Sequence, residues 1–562
     1  MTSNNSSNSK LLIYVTRSLV KLIHKAEYCK SIIADGKELI TGKESGPLSV
    51  PELNDEKVYI TFKEDLTSLA NAFEGCKALT TIPENLFANN PEVTEFIGTF
   101  HGCYALTAIP EKLFAHNTKV TGFGATFGHC TALKSIPENF FANCSELEDF
   151  SYMFCGCSAL TTIPEKLFAN CPKVTHFTGT FGKTSVTSIP ENLFANNPKV
   201  TDFDDTFFCC TSLKSIPAGL FANNRKVTDF FSTFFGCTSL AAIPENLFAK
   251  CSEVTTFSTT FHGCEALTSI PEKLFANCSE VTDFDDTFSS CRTLTSIPEK
   301  LFANNPEVIS FNATFVICST LESIPEKLFA NNPKVTDFES TFRFTALTSI
   351  PENLFANCPA VTNFGGTFSK CKALIAVPKG LFVHNPKVTD FEQTFEGCSA
   401  LTAIPEKLFA NNPEVTKFSL TFHGCSALTT IPENLFANNS AVTTFSETFY
   451  GCKALIAIPE NLFANNPKAT AFNFTFVGCT SLTSIPTALF DNNRKVTDFA
   501  YTFASCKALT GESPYTMIDG QKVHLYERKN YPEQFTAPTG FQDCFYDSNK
   551  LTDYAQIPTD WL

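Results

Sequence analysis

The sequence predicts a repeat solenoid, in which similar coils stack on one another along the chain. A unit of 27 residues begins at Leu79 and again at Leu106, and it recurs through most of the sequence with two steps of 26 residues. A fixed period between 20 and 50 residues is typical of solenoids and propellers, and a propeller blade of four strands needs about 40 residues. The unit therefore favours one solenoid coil per repeat. The second residue of a Leu-Phe pair (once Phe-Phe) marks sixteen copies: Phe87, Phe114, Phe141, Phe168, Phe194, Phe221, Phe248, Phe275, Phe302, Phe329, Phe355, Phe382, Phe409, Phe436, Phe463 and Phe490.

Each unit is itself double. One half reads LTSIPENLFANN and is called the LF half; the other reads VTDFxxTFxGC and is called the TF half. Both begin with a short run of alternating apolar residues, which predicts a strand with one buried face. Pro, Glu, Leu and Ala then favour a helical turn in the LF half, and Asp, Ser or Thr is suited to cap a matching turn in the TF half. We therefore expect stacked short parallel strands with helical turns, two half-turns per 27-residue coil.

The position three residues after each marker phenylalanine holds a small side chain. It is Asn90 or Cys144 in the LF half, Cys103 in the TF half, and Thr184 and Thr345 in the two shortened copies. Such residues exchange where a buried group hydrogen-bonds nearby backbone. Twenty of the 24 cysteines lie in this column, which predicts buried free thiols, with disulfides between stacked coils as the alternative. No pair of C-x-x-C motifs has zinc-ligand spacing, so we expect no metal and no cofactor.

These motifs resemble the BspA-like leucine-rich-repeat surface protein family, which carries a bacterial surface repeat of about 26 residues. The matching segments are the L-T-x-I-P run, the F-x-G-C turn and the N-N-P turn. The resemblance implies a leucine-rich-repeat-like solenoid at the cell surface or outside the cell, with a host or bacterial surface protein or glycan as partner. Phenylalanine replaces leucine at several inward positions of the common leucine-rich pattern.

Composition excludes several classes of protein. A formal net charge of −15 argues against nucleic-acid binding, which needs clustered Lys and Arg. No apolar stretch approaches 18 residues, so we expect no transmembrane segment. A secretory signal is not seen either, because Arg17 and Lys21 interrupt the apolar run that starts at Leu11. A virion is therefore the alternative location.

The remaining segments divide the chain further. We predict a disordered tail at residues 1–9, an N-terminal amphipathic heptad helix with a linker at 10–57, and a solenoid of about sixteen 26–27-residue repeats at 58–510. A C-terminal cap at 511–562 would contain a hairpin at Asp519-Gly520 and a degenerate half-repeat after Phe545. The heptad helix either packs over the open end of the solenoid or forms a homo-oligomer. Its candidate oligomerisation residues are Leu12, Val15, Leu19, Leu22 and Ala26.

The sequence lacks signs of catalysis. It contains no G-x-S-x-G, H-E-x-x-H or phosphate-loop motif, so we expect no enzyme and no catalytic residues. The pairs Asp204-Asp205 and Asp285-Asp286 are interpreted as caps of helical turns rather than as a calcium site, because calcium needs six to eight oxygens together.

The LF half is monotonous, whereas the TF half varies at the two positions after its first phenylalanine and at the position after TF. Large side chains in these columns predict a contact strip on a small polar surface. The alternatives are that these positions drift freely or that some rings fold inward. The candidate strip is Ile97, His101, Tyr152, Phe208, Phe231, Phe235, His262, Leu420, His423, Tyr450, Phe474, Val477 and Tyr501.

Three functions remain open at this point. The leading hypothesis is a non-catalytic surface recognition or adhesion protein that binds protein or glycan through one face of an elongated solenoid. The alternatives are a phage virion fibre or tail-associated protein anchored by its N-terminal helix, and a structural spacer.

Overall fold

The computed structural model describes residues 10–15, 19–40 and 43–562, so the tail expected at residues 1–9 lies outside the described part. The chain divides into two compact units, Met1–Glu280 and Val281–Leu562, here called the first unit and the second unit.

The first unit opens with antiparallel strands. They are β1 (Lys10–Tyr14), β2 (Val20–Ile23), β3 (Cys29–Ala34), β4 (Lys37–Glu38), β5 (Leu48–Val50), β6 (Lys57–Phe62) and β7 (Leu79–Thr81), with a short 3₁₀ helix at Ala26–Tyr28. One sheet has the order β4-β3-β6-β1-β7, and β2 pairs with β5. Because β7 belongs to the first coil of the repeats, this sheet covers an edge that would otherwise expose unpaired backbone.

The prediction of a heptad helix and linker at residues 10–57 is wrong, because the described residues of this segment form five short strands, the start of β6 and one short 3₁₀ helix. Within β1 the burial alternates, with Leu12 and Tyr14 inward, as a strand requires. Leu22 and Ala26 are also buried, whereas Leu19 is 76% exposed. The 3-4 spacing arises across several short strands, and the candidate oligomerisation residues form no helical seam.

Backbone hydrogen bonds in the TF half alternate between two kinds of partner. The Phe100 and Gly102 amides donate to Thr126 and Gly128 of the next coil, both at 2.8 Å. The Thr99 and Cys103 amides instead donate three residues back within their own coil, at 3.1 and 3.2 Å. Parallel pairing is thus confined to isolated bridges such as Glu95↔Gly122, rather than continuous strands.

The described repeats contain hydrogen-bonded turns where helical turns were expected. In the TF half, Gly98 and Gly102 have φ angles of 61° and 69°, values that a right-handed helix cannot contain. In the LF half, the Leu86, Ala88 and Asn90 amides each donate three residues back, and the residues between Pro83 and Asn90 have turn rather than helical conformation. The chain therefore turns without forming helix.

Stacked phenylalanines form the core of both units. In the first unit Phe100 stacks on Phe127 with ring centroids 5.4 Å apart, and in the second unit Phe395 stacks on Phe422 at 5.7 Å. The columns also interlock within the core, as Phe168 and Phe177 show with tilted rings 4.7 Å apart. These rings are fully buried, so each coil extends an apolar column that its neighbour began.

The Asn/Cys column also links neighbouring coils, through a cysteine thiol in some coils and an asparagine amide in others. Cys103 Sγ donates to the Phe73 carbonyl of the preceding coil at 3.3 Å. Asn412 Nδ2 donates to the Phe382 and Asn385 carbonyls at 3.2 and 2.8 Å. All 24 cysteines are free. Burial raises the pKa of these thiols, that of Cys130 to about 12, so they act as small buried donors.

The second unit ends in a region that imitates the repeats. A hairpin joins β8 (Tyr515–Ile518) to β9 (Gln521–His524), and 3₁₀ helices follow at Leu525–Asn530, Tyr554–Gln556 and Thr559–Trp561. Phe545 stacks on Phe503 at 5.7 Å, and Ser548 Oγ donates to the Phe503 carbonyl at 2.7 Å, as a ladder cysteine would. Trp561 stacks on Phe541 at 5.3 Å. The last phenylalanine column is therefore covered.

Candidate recognition surface

The thirteen residues of the candidate strip, here called the flank strip, lie along the TF halves, and none of them is buried. Seven belong to the first unit and six to the second. Ile97, Tyr152 and Phe231 are 44%, 42% and 43% exposed, and the other ten are partly exposed. The rings therefore do not fold into the core.

Several flank-strip rings stack on a ring one coil away. Phe235 and His262 stack at 4.7 Å in the first unit. In the second unit His423 stacks on Tyr450 at 4.5 Å, and Phe474 stacks on Tyr501 at 4.7 Å. Burial lowers the pKa of His423, which favours its neutral ring. Stacking fixes these side chains in place and leaves their outer edges accessible.

Part of the flank strip stands on left-handed backbone. Tyr152, Leu420, Phe474 and Tyr501 have φ angles between 56° and 58°. Gly98, Gly179 and Gly366 occupy the same column in other coils, with φ of 61° to 62°. This left-handed conformation costs an L-residue about 1–2 kcal/mol, whereas glycine adopts it without that steric cost. Sequence reasoning missed the strain, although the three glycines in that column were its signal.

A group of carboxyls lies beside the flank strip in the first unit. Asp229 Oδ1 accepts the Phe231 amide at 2.7 Å, and His176 Nε2 lies 3.3 Å from Asp202 Oδ2. Asp204 Oδ1 is buried and makes no hydrogen bond. Burial, reinforced by Asp229, Asp202 and Asp205, raises the pKa of Asp204 to about 7. This carboxyl is therefore shared between protonated and ionised forms near neutral pH.

The interpretation of Asp204-Asp205 and Asp285-Asp286 as caps of the turn is wrong, because the capping residue lies earlier in the TF half. The turn is capped by the residue before the first phenylalanine, because Asp149, Asp229 and Asp390 each accept the amide two residues later. Asp285, by contrast, accepts from the Asn312 amide of the next coil at 3.1 Å. In the described ranges, no three His, Cys, Asp or Glu side chains are grouped to hold a metal ion.

A serine, a histidine and an aspartate meet inside the C-terminal region. Ser513 Oγ lies 2.8 Å from His524 Nδ1 and donates to Asp553 Oδ2 at 2.5 Å. All three residues are buried, and the serine hydroxyl is already committed to the carboxylate. The cluster therefore ties the hairpin to the chain end and offers no accessible nucleophile.

Residues 10–15, 19–40 and 43–562 include no helix long and apolar enough to cross a membrane.

The solved structures that match this chain include bacterial and animal proteins. A leucine-rich repeat protein from Bacteroides ovatus is 16% identical, with 86% of this chain and 87% of that chain covered and a TM-score of 0.26. A leucine rich cell surface protein from Faecalibacterium prausnitzii is 22% identical, with coverage of 58% and 82% and a TM-score of 0.26. A chain of the Toll–Spatzle complex from Drosophila is 16% identical, with 73% of this chain covered and a TM-score of 0.37. The present chain spans about half of that matched chain, 49%.

No curated protein matches this sequence. The profile of the BspA type Leucine rich repeat region matches it in six copies, over residues 56–201, 107–308, 241–388 and 348–497. These ranges overlap and together run from residue 56 to residue 497, which is most of the 562-residue chain. The chain therefore belongs to the BspA-type leucine-rich repeat family, and its fold is a leucine-rich-repeat solenoid.

Proposed function

We propose that this protein is a non-catalytic recognition or adhesion protein of the cell surface that binds its partner through the flank strip. Aromatic anchors on a small polar background are typical of protein interfaces, so a host or bacterial surface protein is the favoured partner. Membership of a surface-repeat family supports the location.

The observation that carries this proposal is the set of large, partly exposed side chains in one left-handed column of the TF halves. Tyr152, Leu420, Phe474 and Tyr501 stand in a column where other coils carry glycine or small and polar residues such as Ala313. Because the fold accepts small side chains at this position, the large apolar ones are not needed for packing, and they suit a contact outside the chain.

Stacking strengthens the argument. A ring that is already held by its neighbour loses little conformational freedom when a partner covers it, and such preorganisation raises affinity. The pairs His423–Tyr450 and Phe474–Tyr501 are held in this way.

The test removes the side chains without straining the backbone. We expect the triple variant Leu420→Gly, Phe474→Gly, Tyr501→Gly to keep its stability within about 1 kcal/mol per site, because relief of the left-handed strain offsets the extra freedom of the unfolded chain. Binding to an array of immobilised host and bacterial surface proteins should fall at least tenfold for each specific hit.

The matched control is Ala313→Gly, which changes the same column of the same unit, with φ of 53°, outside the flank strip. It should bind as the natural chain does. Unchanged binding by the triple variant would reject the flank strip and favour a spacer. No specific hit on the protein array or on a parallel glycan array would contradict a recognition function.

The virion-fibre alternative loses its proposed anchor, because the described residues of the N-terminal segment form strands where an oligomerising helix was expected.

A further inference from the structure

The negative charge of the chain is concentrated around the flank strip. The eight residues before the Asn/Cys-column position of each TF half, from Cys76 to Ser548, are here called the TF segments, and they contain all thirteen residues of the flank strip. They hold 19 of the 57 acidic and 4 of the 42 basic side chains, a net charge of 4 − 19 = −15. The rest of the chain holds 57 − 19 = 38 acidic and 42 − 4 = 38 basic side chains. The TF segments therefore account for the whole formal charge of −15.

Both units carry this excess. The TF segments of the first unit hold seven acidic side chains against Lys183 alone, and those of the second unit hold twelve against Arg343, Lys370 and Lys417. Four basic groups cannot neutralise nineteen carboxylates. Most of this charge is therefore not balanced by cations of the same segments.

Elsewhere in the repeats, opposite charges are paired between coils. Lys119 Nζ lies 2.6 Å from Glu92 Oε2, and Lys173 Nζ lies 2.6 Å from Glu146 Oε2. Each pair links two successive coils, so the stack accepts balanced charge as well as an excess. Because uncompensated like charges destabilise a compact fold, the excess in the TF segments is not explained by stability.

Some carboxylates of the TF segments lie close enough together to repel one another. In the first unit burial, reinforced by neighbouring aspartates, raises the pKa of Asp204 to about 7. In the second unit burial and then Asp390 raise the pKa of Glu392. A cation that binds beside such carboxylates lowers the repulsion between them. The charge pattern therefore favours a positively charged partner.

Carboxylates also alternate with the large apolar side chains of the flank strip. In the second unit Leu420, Glu447, Phe474 and Tyr501 follow one another at 27-residue steps in a single column. The Glu447 side chain is 35% exposed. Asp543, in the degenerate half-repeat, accepts a hydrogen bond from the Tyr501 hydroxyl and thereby raises the pKa of that phenol. A lysine or arginine stem can cover a ring here while its charged end reaches the adjacent carboxylate.

We infer that the partner of the flank strip is a basic protein surface, rich in arginine and lysine. The inference rests on the proposed function and adds the chemistry of the partner. Arginine suits both parts of the surface, because its guanidinium stacks on aromatic rings and binds carboxylates through two parallel hydrogen bonds. The surrounding carboxylates steer a basic partner toward the rings and repel acidic proteins and anionic glycans.

The experiment uses the full chain on the array of host and bacterial surface proteins, each printed in its natural form and in a blocked form. In the blocked form the lysines are acetylated and the arginines are modified with cyclohexanedione. We expect the specific hits to be basic proteins that lose the chain when they are blocked. Raising NaCl from about 0.1 M to about 1 M shortens the screening length from about 10 Å to about 3 Å. Binding should therefore fall at least about tenfold.

Charge reversal on the chain provides the matched comparison. Glu447→Lys with Asp543→Lys should weaken each hit at least about tenfold, because like charges then face the partner. Glu406→Lys with Glu460→Lys makes the same change of net charge at exposed positions of LF halves in the same unit, and it should change binding less than about twofold. Glu447→Gln with Asp543→Asn removes the two charges at nearly constant size, and it serves if the reversed variant folds poorly.

This inference and the proposed function fail in different ways. Hits that survive high salt, blocking and charge reversal, but are lost with the triple glycine variant, overturn the basic partner and leave the flank strip as a binding surface. Specific hits confined to neutral or acidic proteins overturn it as well. Unchanged binding by the triple glycine variant, or no specific hit at all, rejects the flank strip and the inference together.

Discussion

At the residue scale, the Asn/Cys column shows how one position accepts two side chains. Asn412 Nδ2 and Cys425 Sγ both donate to carbonyls of the preceding coil, the thiol at 3.3 Å from Phe395 O. The requirement is a short donor in a dry site. The sequence predicted this because both residues appear in the same register, whereas the accepting carbonyls needed the stacked geometry.

Asp204 is expected to make the stability of the first unit depend on pH. Its folded pKa of about 7 lies above the ordinary 3.8, so the folded chain holds this proton more tightly than the unfolded chain. Stability therefore falls as pH rises from about 4 to 7 and levels off above that range. Asp204→Asn should stabilise the first unit by about 1–2 kcal/mol at pH 8, once solvent screening of this half-buried carboxyl is allowed for.

Urea denaturation at pH 8 and pH 4 measures the Asp204 effect, and the gain should nearly vanish at pH 4. Asp519→Asn removes the same charge from an exposed turn and should show no such difference. Equal stability of the Asp204 variant and the natural chain at both pH values would contradict the prediction.

At the element scale, the regular repeat allowed the coils to be predicted from the sequence, whereas the non-repetitive N-terminal segment was not predicted correctly. The 27-residue period placed the buried phenylalanines correctly, because every coil repeats the same inward spacing. The N-terminal segment was wrongly predicted to be a helix, because apolar residues of β1 and β2 fall at 3-4 spacing.

Arg528 closes the end of the Asn/Cys column. Its Nη1 donates to Asn493 O at 3.1 Å and its Nη2 to Phe490 O at 2.8 Å. These are the bonds that an asparagine of a following coil would make. Arg528→Ala leaves both carbonyls buried without these donors, so we expect a cost of at least about 3 kcal/mol.

Hydrogen exchange should show which amides lose protection in the Arg528→Ala variant. Because contacts in repeat proteins are between neighbours, amides of the last coils should exchange faster while those near residue 400 are unaffected. The exposed Arg494→Ala is the control. Uniform acceleration along the second unit would contradict a local closing role.

At the scale of the whole molecule, the thiols report on the integrity of the fold. All 24 cysteines are free, and Cys209 alone among them is not buried. The Cys209 thiol should react with a disulfide reagent at pH 8.5 before any other thiol of the folded chain, although partial burial raises its pKa and slows the reaction. All 24 thiols should react in denaturant without reductant. Cys209→Ser should remove this first reaction. Fewer than 24 reactive thiols in denaturant would indicate disulfides.

The two shortened coils show that the array tolerates a change of length. The Thr184 and Thr345 hydroxyls each donate to a phenylalanine carbonyl at 2.8 Å and lie 3.4 and 3.2 Å from a cysteine sulfur of the next coil. These threonines are 345 − 184 = 161 residues apart, as are His101 and His262. A coil that is inserted or deleted carries its own phenylalanines and column donors, so the array can change its length without requiring a new core.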